Sequence, residues 1–279
     1  MLVFLNGQFV PEAQAVVSVH DRGFMYGDGL FETMRVVQGK PFRLAQHLER
    51  LQRGADFLKI KCPFTPAELQ NFIGQLIAKN QMPDAILRVV LTRGPGERGY
   101  APGGGGKPTL VMSLHATPPL DVENPVRCTL IISSIRVPTG DPLAAFKTTS
   151  KLAHVVARME AAEKGADEAL LINTDGEVAE TAGGNLFWVS RDRVCTVPAG
   201  YGVLSGITRA VVLEICRTLG LPTSECIIKP GALRNLKGLF ITQSVFGIVP
   251  VAALDGKPVA PSPVVDQLWR AYCELLAQP

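Results

Sequence analysis

At 279 residues the chain has room for about two domains of roughly 150 residues, or one large α/β unit, which excludes a stapled mini-protein. With 47% hydrophobic and 19% charged residues it can bury enough apolar surface to offset chain entropy, so wholesale disorder is excluded too. The net charge of +3 is spread without long runs of one sign and gives no support to nucleic-acid or membrane-surface binding.

Residues 1–5 read as a strand that turns at Asn6-Gly7 into Gln8-Phe9-Val10, a hairpin by the strongest short-range turn signal. That apolar start is too short for a signal-peptide core and lacks a basic flank, and no apolar run approaches the ~20 residues of a membrane span. A cytoplasmic protein with no membrane segment is expected. Residues 30–37 read as a strand closed by Gly39-Lys40 and Pro41-Phe42. Over 44–58 the apolar positions Leu44, Leu48, Leu51, Ala55 and Leu58 recur at three and four, one face of a helix, with His47, Arg50 and Gly54 on a neighbouring face. Thr65-Pro66-Ala67-Glu68 is a capping-box start for a helix reaching about Asn80. Strands at 87–92 and 109–114 flank a Gly-rich excursion.

The prolines of 118–125 mark that segment as a linker between a smaller α/β domain, 1–117, and a larger domain, 126–279. The second part predicts a strand at 128–135, a loop ending at Phe146-Lys147, a helix over about 150–164, and strands at 168–173 and 185–189. A helix after Gly206 to about Leu219 and a buried strand at 238–244 follow. Irregular alternation of strands and helices points to a mixed α+β or α/β architecture. The six cysteines, Cys62, Cys128, Cys195, Cys216, Cys226 and Cys273, show neither CxxC nor metal-ligand spacing, so buried thiols and no metal site are expected.

Several segments carry chemical potential of unequal weight. Gly94-Pro95-Gly96-Glu97-Arg98-Gly99 matches G-x-G-x-x-G, but Tyr100-Ala101-Pro102 and four glycines follow where a dinucleotide fold needs a helix, so a hairpin loop or active-site flap fits better. Ser205-Gly206-Ile207-Thr208-Arg209 opens an amphipathic helix, and the amides of Ile207 and Thr208 are orphan donors able to meet a phosphate. Ser244 ends a hydrophobic strand where a hydroxyl can reach a ligand. Lys147 follows Leu143-Ala144-Ala145-Phe146, and apolar surroundings favour the neutral amine needed for Schiff-base chemistry. Glu180, beside Gly183-Gly184, offers a carboxylate to a site or caps a turn; His20, His115 and His154 show no triad or metal spacing.

In order and spacing these pieces resemble the class IV aminotransferases, the fold-type IV pyridoxal-phosphate enzymes. The opening motif looks like Asp21-Arg22-Gly23-Phe24-Met25-Tyr26-Gly27-Asp28-Gly29-Leu30-Phe31-Glu32-Thr33, and the phosphate-arginine helix like His47-Leu48-Glu49-Arg50-Leu51. Lys147 stands where the family has its Schiff-base lysine, with Lys151 a competitor, and Glu180-Thr181-Ala182-Gly183-Gly184-Asn185-Leu186-Phe187 is similar to the pyridine-nitrogen glutamate motif. The segment from Ser205 to Arg209, and Ser244 with Val249-Pro250-Val251, match the remaining phosphate-binding pieces.

The resemblance implies a two-domain fold of the D-amino-acid aminotransferase type, pyridoxal 5'-phosphate in the interdomain cleft, and a homodimer acting on a small amine or amino acid. It implies that Arg50, Ile207, Thr208 and Ser244 grip the phosphate, that Glu180 faces the pyridine nitrogen and that Lys147 is catalytic. Within the family, Arg88-Val89-Val90-Leu91-Thr92-Arg93-Gly94, Ala166-Asp167-Glu168-Ala169-Leu170 and Asn185-Leu186-Phe187-Trp188 look most like 4-amino-4-deoxychorismate lyases. That implies formation of 4-aminobenzoate and pyruvate, with Phe31, Arg98 and Tyr100 as substrate-binding candidates. The alternative is a transaminase acting on D-amino acids, branched-chain amino acids or primary amines.

Overall fold

A computed structural model describes residues 1–103 and 106–278; Gly104 and Gly105, two of the four glycines noted above, lie outside the described residues. The chain divides into two compact units: Met1–Thr117 with Phe146–Lys151, and Pro118–Ala145 with Leu152–Gln278. Two segments therefore fall differently from the expected domains. Residues 146–151, including Lys147, join the first unit because Lys147 O accepts from Phe31 N at 2.9 Å and Thr149 N donates to Gly29 O at 2.9 Å. Residues 118–125 pack with the second unit, where Trp269 Nε1 donates to Val122 O at 2.9 Å and Arg270 pairs with Glu123 at 2.9 Å.

The first unit contains β1 (Leu2–Leu5), β2 (Gln8–Pro11), α1 (Arg22–Tyr26), β3 (Gly29–Val37), β4 (Lys40–Pro41), α2 (Leu44–Leu58), α3 (Pro66–Asn80), β5 (Ala85–Thr92) and β6 (Thr109–His115). Its six-stranded antiparallel sheet runs β2-β1-β6-β5-β3-β4. Alternation along β3 decides what the sheet presents. Leu30, Glu32, Met34 and Val36 are buried on one face, while Phe31 and Thr33 are half-buried on the other. The first face joins α2 and α3 in a core with Phe4, Leu48, Leu51, Ile73, Leu76, Leu87 and Leu91. The expected capping box of α3 is formed, Thr65 Oγ1 accepting from Glu68 N and Glu68 Oε2 from Thr65 N, an arrangement that contributes about 1 kcal/mol to the helix.

The motif over 21–29 is scaffolding. Asp21, fully buried, caps α1 by accepting from Gly23 N and also accepts from the hydroxyls of Thr92 and Thr109. Gly27 ends α1 in the left-handed conformation at φ +67°, and a Cβ there would lie 3.2 Å from Ser150, so glycine lets the 146–151 segment approach. Asp28 binds Arg22 at 3.0 Å and Arg93 at 2.7 Å. Arg22 in turn donates to the carbonyls of Glu97, Gly99, Tyr100 and Ala101, holding the described part of the Gly-rich loop. The loop opens no helix, as expected of a G-x-G-x-x-G match in the wrong context.

The second unit contains β7 (Cys128–Val137), α4 (Leu152–Glu163), β8 (Glu168–Asn173), β9 (Val178–Thr181), β10 (Asn185–Ser190), β11 (Arg193–Thr196), α5 (Ile207–Thr218), β12 (Thr223–Glu225), α6 (Pro230–Leu233), β13 (Lys237–Gln243), β14 (Gly247–Leu254), β15 (Lys257–Pro258) and α7 (Pro263–Ala277). The main path of its nine-stranded mixed sheet is β12-β11-β10-β13-β14-β7-β8-β9, with β15 on β14. Leu170, Ile172, Leu186, Trp188, Leu239, Ile241 and Val251 form one core, and α4 covers another with Ala157 and Ala161 against Ile131, Ala169 and Leu171. No disulfide joins any of the cysteines. Among the described residues, no helix is long and apolar enough to cross a membrane.

Candidate active site

The residues singled out in the sequence fall into two groups, one in each unit. In the first, antiparallel pairing of residues 146–149 with the start of β3 fixes the backbone of Lys147, and a bridge joins Thr148 to Leu30. Its Nζ lies 4.6 Å from the centroid of the Phe31 ring. The guanidinium of Arg88, on β5 opposite Thr33, lies 4.3 Å from the same centroid. Burial pushes the pKa of Arg88 down, yet a guanidinium stays charged at neutral pH. The ring thus has a permanent guanidinium and the Lys147 amine over it, which gathers charge able to meet an anion.

On the opposite face of β3, Glu32 is fully buried and accepts from Arg50 at both oxygens, Nε to Oε1 and Nη2 to Oε2, each 2.7 Å. His47 Nδ1 lies 2.6 Å from Oε2. Burial raises the pKa of Glu32, but the hydrogen bonds from Arg50 and His47 and the charge of Arg50 outweigh it, and the carboxyl is held below the usual range. Burial lowers the pKa of His47, helped by the charges of Arg50 and Lys147. Arg50 is thus a buried, two-point-anchored cation. Neither Glu32 nor His47 was among the sequence-derived site candidates. A carboxylate in the apolar register of Leu30 and Met34 was the available signal, since a buried charge requires a partner. Arg98 and Tyr100 are exposed in the loop, and Tyr100 makes an edge contact with Tyr26 at 5.7 Å between centroids.

In the second unit Glu180 lies on β9, buried, whereas the sequence suggested a turn-like segment. Its Oε2 accepts from Leu204 N at 3.0 Å and Asn185 Nδ2 at 3.4 Å, and Asn185 Nδ2 also donates to Leu204 O at 2.8 Å. Glu180 is thereby tied to the segment that leads into α5. Gly206 is the N-cap of α5 and no side chain caps the helix, so the amides at its start, those of Ile207 and Thr208 among them, face a positive dipole end. A Cβ on Gly206 would lie 2.1 Å from Asn185 Oδ1, and one on Gly184 would lie 2.3 Å from Thr242 O. Both glycines permit close backbone approach. Thr208 is buried, Ser244 is half-buried between β13 and β14, and the buried Thr242 Oγ1 has no hydrogen-bond partner among the described residues. Arg209, whose guanidinium donates to Val197 O and Glu225, braces the base of the helix.

This donor set suits a phosphorylated pyridine. In the second unit, an uncapped N-terminus of a twelve-residue helix and two hydroxyl residues match a phosphate, and a buried carboxylate matches a protonated ring nitrogen; in the first, a buried arginine is a group of the same phosphate-binding kind. A lysine beside apolar surface matches the aldehyde.

Comparison with known proteins agrees. Residues 29–254 match the family described as amino-transferase class IV. A protein of Methanocaldococcus jannaschii provisionally named a branched-chain-amino-acid aminotransferase is 37% identical over 93% of this chain and 90% of its own length. The structure of 4-amino-4-deoxychorismate lyase from Pseudomonas aeruginosa superposes with a TM-score of 0.86 at 30% identity, covering 98% of each chain. That of the branched-chain aminotransferase from the thermophilic archaeon Thermoproteus uzoniensis, with norvaline, gives 0.91 at 29% identity, covering 98% of this chain and 94% of the other. The chain belongs to the class IV aminotransferases. It is a fold-type IV pyridoxal-phosphate enzyme of the aminotransferase and lyase class.

Proposed function

We propose that this enzyme is a 4-amino-4-deoxychorismate lyase, releasing pyruvate and leaving 4-aminobenzoate. The observation that carries the reading is the Phe31 ring flanked by Arg88 at 4.3 Å and Lys147 at 4.6 Å. The same strand face carries Thr33, opposite Arg88, so this wall is cationic, aromatic and polar. It suits a flat ring bearing a carboxylate better than a branched aliphatic side chain.

Pyridoxal phosphate, when bound through the substrate's ring amine, supplies the electron sink that makes the adjacent ring C–H acidic. Arg50, Ile207, Thr208 and Ser244 would hold its phosphate, and Glu180 its ring nitrogen. Arg88 takes a substrate carboxylate, and Arg98 with Tyr100 completes substrate binding from the loop. Lys147 Nζ, as the neutral amine, takes the proton from the amine-bearing ring carbon. The electron pair of that bond enters the ring, the neighbouring C–O bond breaks with its pair going to oxygen, and the leaving enolpyruvate is protonated to pyruvate. Aromatisation of the ring drives the step, and no amino acceptor is needed. Lys147 would also be the residue that holds the cofactor aldehyde between turnovers.

A transaminase is the second reading, favoured by the 37% identity to the M. jannaschii protein. We further infer a homodimer in a reducing, cytoplasmic setting: Leu152, Val155, Val156 and Met159 form an exposed apolar stripe at helical spacing on α4.

The deciding experiment gives the purified holoenzyme 4-amino-4-deoxychorismate, and separately D-alanine or L-leucine with a 2-oxo acid. Formation of 4-aminobenzoate and pyruvate at ordinary enzymatic rates is expected. Absent lyase turnover, with bleaching of the cofactor absorbance by one amino donor, would overturn the lyase in favour of a transaminase. Lys147→Ala removes both the absorbance and the turnover if Lys147 is the catalytic lysine, whereas retained colour and activity would reject it.

A further inference from the structure

One histidine in the second unit is not accounted for by the roles above. His154, on the first turn of α4, directs Nε2 toward Glu180 Oε1 at 3.5 Å, on the side of the carboxylate away from the Oε2 contacts of Leu204 and Asn185. Its other nitrogen, Nδ1, is buried without a hydrogen-bond partner among the described residues.

That asymmetry decides the proton's place. An imidazolium would leave a buried N–H unsatisfied at Nδ1, which costs about 1–3 kcal/mol, whereas a neutral ring protonated at Nε2 leaves only a lone pair there. The neutral ring can donate toward Glu180 without cancelling its charge. We propose that His154 is a positioning residue that orients Glu180 and preserves its negative charge for the pyridine nitrogen. A cationic neighbour would instead compete with the pyridinium for the same carboxylate.

The surroundings fit this division. On α4, Arg158 lies one turn beyond His154 and directs its guanidinium at a different carboxylate, Glu168 on β8, at 3.7 Å. Glu168 is a second carboxyl whose charge interacts with His154, and burial pushes its own pKa up toward the neutral acid. The permanent cation on this face of α4 thus answers Glu168, and the titratable ring answers Glu180. Sequence spacing gave no sign of the pairing, because His154 and Glu180 lie on a helix and a strand that meet only in the fold.

The inference rests on Glu180 serving the pyridine nitrogen, so the test separates the two. In the apoenzyme, NMR of the histidine ring nitrogens at neutral pH reads the His154 tautomer in the native chain and in Glu180→Gln, with His154 assigned through His154→Asn. The Nε2–H tautomer is expected in the native chain, with the Nε2 resonance shifting in Glu180→Gln because its acceptor changes from carboxylate to amide. In the holoenzyme, His154→Ala is expected to weaken pyridoxal-phosphate binding about tenfold, while His154→Asn, which keeps an N–H donor, recovers most of the loss. An unmoved Nε2 resonance, an Nδ1–H tautomer or undiminished cofactor affinity in a folded His154→Ala overturns the positioning role alone. If His154→Ala does not fold, the native and Glu180→Gln spectra decide. Undiminished cofactor affinity in Glu180→Gln overturns the reading of Glu180, and this role with it.

Discussion

Glu32 and Arg50 meet through two parallel charge-assisted hydrogen bonds of 2.7 Å, with the Arg50 side chain 4% exposed and that of Glu32 wholly buried. A strand and a helix are thereby pinned at Arg50, and in the proposed role Arg50 would meet the cofactor phosphate already ordered. A fork-on-carboxylate contact of this kind removes side-chain freedom before binding, so less entropy is lost when the phosphate arrives.

Glu32→Gln leaves the Arg50 guanidinium buried against a neutral partner. The expected cost is about 3–5 kcal/mol of folding stability, read as the shift in a denaturant midpoint, together with weaker cofactor retention. A variant as stable as the native chain would reject the anchoring role.

Acid should unfold the protein in two stages. The His47 pKa lies below its ordinary 6.5, so in the folded state the ring stays neutral where the unfolded chain already binds a proton. Stability from this group is complete above about pH 6.5 and is lost as pH falls toward the folded value. Glu32 lies below its ordinary 4.5, so its contribution is present above about 4.5 and lost on further acidification. Both shifts therefore have the same sign. Denaturant midpoints are expected to hold from pH 7.5 to about 6.5 and to fall from there to pH 4; a flat profile from 6.5 to 4.5 would contradict the assignment for His47.

Gly206→Ala inserts a methyl 2.1 Å from Asn185 Oδ1 and must displace that side chain, which holds both Glu180 and the Leu204 carbonyl. Pyridoxal-phosphate affinity is expected to drop about tenfold or more, with the unfolding temperature changing by only a few degrees. Unaltered affinity would show that Asn185 does not couple the two ends of the cofactor site.

Arg88 and Arg98 are separable by kinetics. Arg88→Leu is expected to reduce kcat/KM for a carboxylated ring substrate about 100-fold, mainly through KM, because a desolvated guanidinium contact is lost. Arg98→Leu, altering an exposed loop residue, is expected to cost about tenfold or less. The reverse order would move the carboxylate site from the sheet to the loop.

Introducing Glu at Val155 or Met159 tests the α4 stripe. Sedimentation velocity should find a dimer for the native chain and a shift toward monomer for either variant, as a buried unpaired charge opposes association. Unchanged sedimentation of both variants would place any interface elsewhere.

Local pattern was enough for the framework. Alternation wrote β3, three-and-four spacing wrote α2, Thr65-Pro66-Ala67-Glu68 wrote the start of α3, and the placing of Lys147, Glu180 and Ser205 to Arg209 along the chain carried the family. Each of these depends on neighbours a few residues away or on motif order, which sequence preserves. α7 and the short strands β9, β11 and β12 escaped the sequence reading, since brief buried strands carry little periodicity and Pro263 sits at a helix start that resembles a loop. The partnerships needed three dimensions. Glu32 acquired Arg50 and His47 because α2 packs over one face of β3; Phe31 acquired Arg88 and Lys147 because β5 and residues 146–149 both border the other. His154 acquired Glu180 because α4 packs over β7 and β8, and β9, which carries Glu180, is the strand paired beside β8. Pairwise distance between residues far apart in the chain is set by packing, and packing is the quantity that local propensity does not contain.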